Sequence, residues 1–89
     1  MIRIRFKLFA MLTDFLPSQV DGRQRVGNII ELDVEEGTTV QQMIDRYRLP
    51  DKWVHLVLVN GVHVLPADRA GKTLLDGDAL AIWPPIAGG

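Results

Sequence analysis

Asp76-Gly77-Asp78-Ala79-Leu80-Ala81-Ile82-Trp83-Pro84-Pro85-Ile86-Ala87-Gly88-Gly89 reads in three parts. Asp76-Gly77-Asp78 is a tight turn, because glycine takes the positive φ that its aspartate neighbours resist. Ala79 to Trp83 alternates small and large apolar residues, as a short strand does. Pro84-Pro85 removes two backbone donors and ends the pairing. Residues 84–89 then read as a flexible C-terminal tail on a single domain of residues 1–83. Extended, that tail reaches about 20 Å at roughly 3.3 Å per residue. Its prolines favour polyproline geometry, which lowers the entropy lost on insertion. Gly88 and Gly89 have no Cβ, so they fit a channel too narrow for other residues. The expectation is a tail that delivers the carboxylate of Gly89 into another protein's active site.

The chain before this stretch supplies the fold that launches the tail. His55 to Val59 is a strand rich in Val and Leu, and Asn60-Gly61 is a strong hairpin signal, with Val62 to Leu65 returning. Pro66 to Lys72 reads as a loop, and Leu74 and Leu75 are expected to pack just before the turn. Further upstream, Glu36-Gly37 is a turn and Thr39 caps a helix, with Gln42 at the reciprocal capping-box position. Val40, Met43, Ile44 and Tyr47 form one apolar stripe of that helix, and Pro50 ends it at or before Leu49. The stripe has the spacing of a core face.

At the other end of the chain, Ile2, Ile4, Phe6 and Leu8 alternate with Arg3, Arg5, Lys7 and Phe9. That predicts a strand with one apolar face and one largely basic face, which is either solvated or set against an acidic partner. Ile30, Leu32 and Val34 alternate with Glu31, Asp33 and Glu35, a second strand expected to pair antiparallel with the first. Between them, Met11, Leu12, Phe15 and Leu16 have the spacing of a short helix stopped by Pro17, and Ser18 to Asn28 reads as a loop. The order β β α β β β predicts an α+β domain, a mixed sheet of about five strands packed on one main helix.

Composition narrows the function. A chain of 89 residues that is 47% hydrophobic supports one core without staples. There is no cysteine, hence no disulfide and no thiolate metal site, and any sulfur the protein carries would have to sit on the terminus. A net charge of −1 argues against a general nucleic-acid binder. The N-terminal residues hold no long apolar run, so no membrane span or signal peptide is expected and a cytoplasmic location is. His55 and His63 lack carboxylates at metal-ligand spacing, and no nucleophile–base pair or P-loop is present. The expectation is a protein that is not itself an enzyme and binds no metal or cofactor.

Leu75-Asp76-Gly77-Asp78, Ile82-Trp83-Pro84-Pro85 and Gly88-Gly89, supported by Val57-Leu58-Val59-Asn60-Gly61 and Gly37-Thr38-Thr39-Val40, resemble the ubiquitin-like sulfur carriers of the ThiS and MoaD type. The resemblance covers nearly the whole chain and looks closer to MoaD, the small subunit of molybdopterin synthase, because residues 10–28 add a segment that shorter ThiS-like chains mostly lack. It implies a ubiquitin-like β-grasp fold. It also implies that an E1-like adenylyltransferase uses ATP to adenylate the C-terminal carboxylate. A sulfurtransferase then supplies the sulfur of a thiocarboxylate. For a MoaD-like chain the acceptor would be a molybdopterin precursor held by a large synthase subunit. Thiamine synthesis, tRNA thiolation and protein modification would use the same tail; a ubiquitin-like interaction module with no reactive end is the alternative of another class.

A carrier must also be recognised. If Val57, Val59, Leu80 and Ile82 point to the core, then Leu58 and Trp83 point away from the helix, and Phe9 does so by the same count. Phe9, Leu58 and Trp83 are therefore expected to form an outward patch beside the tail, bordered by His63. The resemblance implies that this surface docks the activating enzyme. Trp83 stands where many relatives place Phe.

Overall fold

The computed structural model describes residues 1–85. Strand β1 (Ile2–Leu8) leads into a 3-10 helix at Ala10–Phe15, where the sequence predicts a short helix over much the same residues. Leu12 and Leu16 enter the core from this segment, while Met11 stays 49% exposed.

Residues 18–28 correct the expectation of a plain loop. They hold a hairpin of β2 (Gln19–Val20) and β3 (Arg23–Gln24). Asp21 and Gly22, with φ of 50° and 79°, make its turn, and this is the backbone that a type I′ connection requires. The hairpin is fastened at both ends by arginine. Arg25 Nη1 donates to the carbonyls of Thr13 and Leu16 at 3.0 and 3.4 Å, satisfying the exposed end of the 3-10 helix. Arg23 Nη1 reaches Asp33 at 3.0 Å.

Strand β4 (Ile29–Val34) pairs antiparallel with β1, from Ile2 opposite Val34 to Lys7 opposite Ile29. Helix α1 (Val40–Arg46) starts at the expected cap: the Gln42 N–H donates to Thr39 Oγ1 at 3.2 Å, and the Thr39 N–H donates to Gln42 Oε1 at 2.9 Å. Val40, Met43 and Ile44 are buried, and Tyr47 lies 5.2 Å from Phe6, ring centre to ring centre, so the stripe packs on the sheet. At its C-terminal end the Leu49 N–H bonds the Ile44 carbonyl and Arg48 takes a φ of 55°, a Schellman-type ending with arginine where glycine is usual.

Strands β5 (Leu56–Val59) and β6 (Val62–His63) form the Asn60-Gly61 hairpin; β6 is shorter than the expected return to Leu65. Strand β7 (Ala79–Trp83) completes a five-stranded mixed sheet in the order β4-β1-β7-β5-β6. Strands β1 and β7 are thus neighbours and, among the described residues, the only parallel pair, with Leu8 opposite Ile82. The inward residues Ile4, Phe6, Leu8, Ile30, Leu32, Val57, Leu80 and Ile82 make the core with α1. Burying each such side chain contributes about 1.5–3 kcal/mol. Leu74 is buried as expected. Leu75 is not: it is 65% exposed, because the Asp78 carboxylate holds its N–H at 2.8 Å at the start of the turn, where the side chain faces out.

Candidate docking face and the root of the tail

Alternation along β7 sets the geometry. Leu80 and Ile82 are fully buried under α1, so Trp83 faces the opposite side of the sheet. The parallel register then matters, because the pair Leu8–Ile82 brings the next residues, Phe9 and Trp83, side by side. Their rings stack at 3.9 Å between centres and 8° between planes, and the Phe9 N–H donates to the Ile82 carbonyl at 3.1 Å. On the other side of β7, Leu56 lies opposite Trp83, and Leu58 lies opposite Ala81 and, across β5, opposite His63.

Two rows therefore cross the outward face: Phe9–Trp83–Leu56, and Lys7–Ala81–Leu58–His63. Phe9, Leu56, Leu58 and Trp83 are half-buried and His63 is exposed. All four residues expected to share this face do so, with Phe9 and Trp83 in direct contact and Leu58 joining His63 to the patch. Two further members escaped the sequence reading. Leu56 stands two residues before Leu58 and faces the same way. Leu65, 53% exposed, follows Val64, which pairs inward with Val57 through an N–H to carbonyl bond of 2.8 Å. The signal for both was the same alternation, carried one step further along each strand.

The patch lies where β7 ends, next to the start of the expected tail. The Trp83 carbonyl accepts the His55 N–H at 3.0 Å, which pins the last peptide of β7 to the start of β5. The His55 carbonyl accepts Arg69 Nη2 at 3.4 Å in turn. Arg69 is buried, and burial holds its pKa below the usual arginine value, opposed by the nearby Asp51 carboxylate. Pro84 is buried and Pro85 exposed. The expected reactive end, Gly88 and Gly89, lies outside the described residues. Among the described residues no cluster of three or more His, Asp or Glu side chains is placed to hold a metal ion, and no helix is long and apolar enough to cross a membrane.

Comparison with known proteins bears on this arrangement. A model of the ThiS family matches residues 22–89. In structure the chain is similar to small archaeal modifier protein 1 from Haloferax volcanii, with a TM-score of 0.63 and 24% identity, over 98% of this chain and 99% of that one. It is also similar to a Pyrococcus furiosus protein assigned as molybdopterin converting factor, subunit 1, with a TM-score of 0.66 and 19% identity, over 97% of this chain and 100% of that one. At these identities the two structures establish a common fold, the ubiquitin-like β-grasp. No curated protein sequence matches the chain.

Proposed function

The chain belongs to the ThiS family, and from that premise we propose that it is a cytoplasmic sulfur carrier whose reactive group is the carboxylate of Gly89. The family consists of small ubiquitin-like carriers rather than enzymes, so the chemistry is shared with partners. A free carboxylate is a poor acyl donor because its leaving group would be oxide. An E1-like adenylyltransferase removes that obstacle: the Gly89 carboxylate attacks the α-phosphorus of ATP, pyrophosphate leaves, and an acyl adenylate results. AMP is then a competent leaving group for the terminal sulfur of a sulfurtransferase persulfide: the bond to AMP breaks as an acyl disulfide forms, and a thiol reductant cleaves the S–S bond to release the thiocarboxylate. The carrier binds no cofactor itself; ATP belongs to the activating partner.

The observation that carries this reading is the coincidence of β7 with the root of the tail. The central strand of the sheet runs out at Trp83 beside a half-buried, outward-facing aromatic patch, and six residues later the sequence ends its Gly88-Gly89 pair. A partner seated on the patch holds the tail's root while the bare glycine backbone enters its active site. The sulfur acceptor we propose is the pterin precursor of molybdopterin, in its molybdenum or tungsten form, held by a large synthase subunit. The fold shared with a Pyrococcus furiosus molybdopterin converting factor subunit supports this assignment. The fold shared with an archaeal modifier protein favours a second reading, in which the activated terminus is transferred to lysine amines of target proteins.

Intact mass spectrometry of the protein isolated from its own host tests the proposal. A species in which one oxygen is replaced by sulfur is the expected result. Its absence, with covalent protein adducts through Gly89 in its place, would select the modifier reading. Absence of both would leave the chain as a ubiquitin-like interaction module and refute the carrier chemistry.

A further inference from the structure

The β2–β3 hairpin, unforeseen in the sequence, creates a second feature on the outward face. Between it and strands β1 and β4 lies a groove of about 490 Å³, lined by Arg5, Arg23, Gln24, Val26, Ile29 and Glu31. Its chemistry is mixed in a definite way. Ile29 is half-buried, and Val26, 78% exposed, serves no core. Around these aliphatic groups stand Arg3, Arg5, Lys7 and Arg23 against Glu31, Asp33 and Asp76, an excess of one cation. Arg3 and Arg23 share one carboxylate, that of Asp33, at 3.2 and 3.0 Å. Arg5 stands opposite Glu31 in register, yet no ion pair joins them among the described residues. Lys7 faces Ile29 on one side and Ala81 on the other, neither of them acidic. Positive charge thus collects here on a chain whose net charge is −1.

The groove is also continuous with the aromatic patch. The cross-strand row Ile29–Lys7–Ala81–Leu58 runs from the groove floor to the centre of the patch. A protein covering Trp83 and Leu58 would lay its edge over Lys7 and Arg5.

We propose that this groove is a second docking point, which takes an acidic segment bearing a small aliphatic side chain from the enzyme that activates the tail. The carboxylates of that segment would meet Arg5, the part of Arg23 not held by Asp33, and Lys7, while the aliphatic group sits on Val26 and Ile29. Charged rims of this kind set encounter rate and orientation, whereas the apolar centre supplies the residence time. The assignment of the occupant to the activating enzyme rests on the carrier reading; the groove's preference for an acidic, aliphatic segment does not.

The test uses the full chain, labelled for NMR, and a synthetic peptide of alternating glutamate and valine, with a lysine and valine peptide as its counterpart. The acidic peptide should give saturable shifts at the methyl groups of Val26 and Ile29, weakening as salt is raised. Arg5→Glu and Val26→Asp change exposed residues and keep the fold, and each should weaken peptide binding at least about tenfold. Shifts that are absent, equal for both peptides or unchanged by Arg5→Glu would overturn the proposal, as would tighter binding of a DNA or RNA oligonucleotide. ATP–pyrophosphate exchange with the cognate activating enzyme separates the two claims. Peptide binding without exchange by the wild-type chain keeps the groove and removes its assignment to that enzyme. Exchange in which KM for the chain is the same for wild type and Arg5→Glu overturns the assignment of the groove to that enzyme and leaves the carrier. The supporting result is a raised KM at constant kcat, with a flatter salt dependence than that of wild type.

Discussion

Trp83→Ala separates docking from packing. Trp83 is half-buried and stacks on Phe9 at 3.9 Å, so the substitution removes one aromatic pair and part of a ring's burial, and leaves α1 and the inward core intact. An aromatic pair contributes about 0.5–1.5 kcal/mol beyond its area. A fully buried aromatic costs about 3–5 kcal/mol when cut to alanine. The structure therefore sets the stability loss at about 1–2 kcal/mol, which lowers the midpoint by about 4–8 °C per kcal/mol in a domain of this size. Against a typical stability of about 5–15 kcal/mol, the variant stays folded at assay temperature. Binding should suffer more: a tryptophan at the centre of an interface commonly costs about 2 kcal/mol or more, a loss of more than about tenfold. Thermal denaturation and calorimetric titration of the activating enzyme read the two effects separately. Phe9→Ala should cost a similar amount of stability, and the double variant should cost less than the sum by the stacking energy, about 0.5–1.5 kcal/mol. Strict additivity would mean that the rings do not stack. A collapsed midpoint with normal binding by the folded fraction would show Trp83 to be a core residue, and the outward assignment of the patch would fall with it.

Three other outcomes are expected. Arg48→Gly places glycine at the φ of 55° that ends α1 and should stabilise the protein by about 1 kcal/mol in denaturant titration. Asp78→Ala leaves the Leu75 N–H and the Asn60 side-chain amide without the carboxylate they bond at 2.8 and 2.7 Å, and should cost about 1–3 kcal/mol in the same assay. Asp33, whose pKa hydrogen bonds from Arg23 and Arg3 hold below the ordinary carboxylate value, contributes stability that is present above its unfolded pKa and lost as the pH falls through the lowered folded one. The protection of the β2–β3 hairpin amides, corrected for the intrinsic pH dependence of exchange, should therefore fall on acidification only below the ordinary carboxylate range, and Asp33→Asn should show the lowered protection already at neutral pH.

What was legible in the sequence follows from what each segment buries. β1, β4 and α1 each bury one face only, so Ile4-x-Phe6-x-Leu8, Ile30-x-Leu32-x-Val34 and the Val40–Tyr47 stripe declare their period. The β2–β3 hairpin buries almost nothing. Two residues per strand cannot show alternation, and Gln19, Arg23 and Gln24 are polar. Its Asp21-Gly22 turn has the same grammar as Asn60-Gly61, but only the latter is flanked by apolar strands. The hairpin is held by arginine side chains reaching Asp33, Thr13 and Leu16, partners that no local pattern announces. The outward positions of Phe9, Leu58 and Trp83 could be counted from alternation. The stack of Phe9 on Trp83 could not, because it depends on β1 lying parallel to β7, with Arg5 opposite Ala79 far along the chain.

The register that sets the facing of Trp83 is fixed at the opposite end of β7. Asn60 Oδ1 accepts the Ala79 N–H at 2.9 Å, the Asn60 N–H donates to the Ala79 carbonyl at 2.9 Å, and Asn60 Nδ2 donates to the Asp78 carboxylate at 2.7 Å. The Arg5 N–H donates to the Asp78 carbonyl at 2.9 Å, so the same turn is tied to β1. These bonds lock the first residue of β7 against both neighbours. Because side chains alternate with a period of two, locking Ala79 outward places Ala81 and Trp83 outward as well. A slip of one residue at Asp76-Gly77-Asp78 would turn Trp83 into the core and bring Ile82 out beside Phe9. The tight turn before β7 and the aromatic patch after it are thus two ends of one constraint. The Asp-Gly-Asp turn decides which face of the sheet carries the tryptophan at the end of β7.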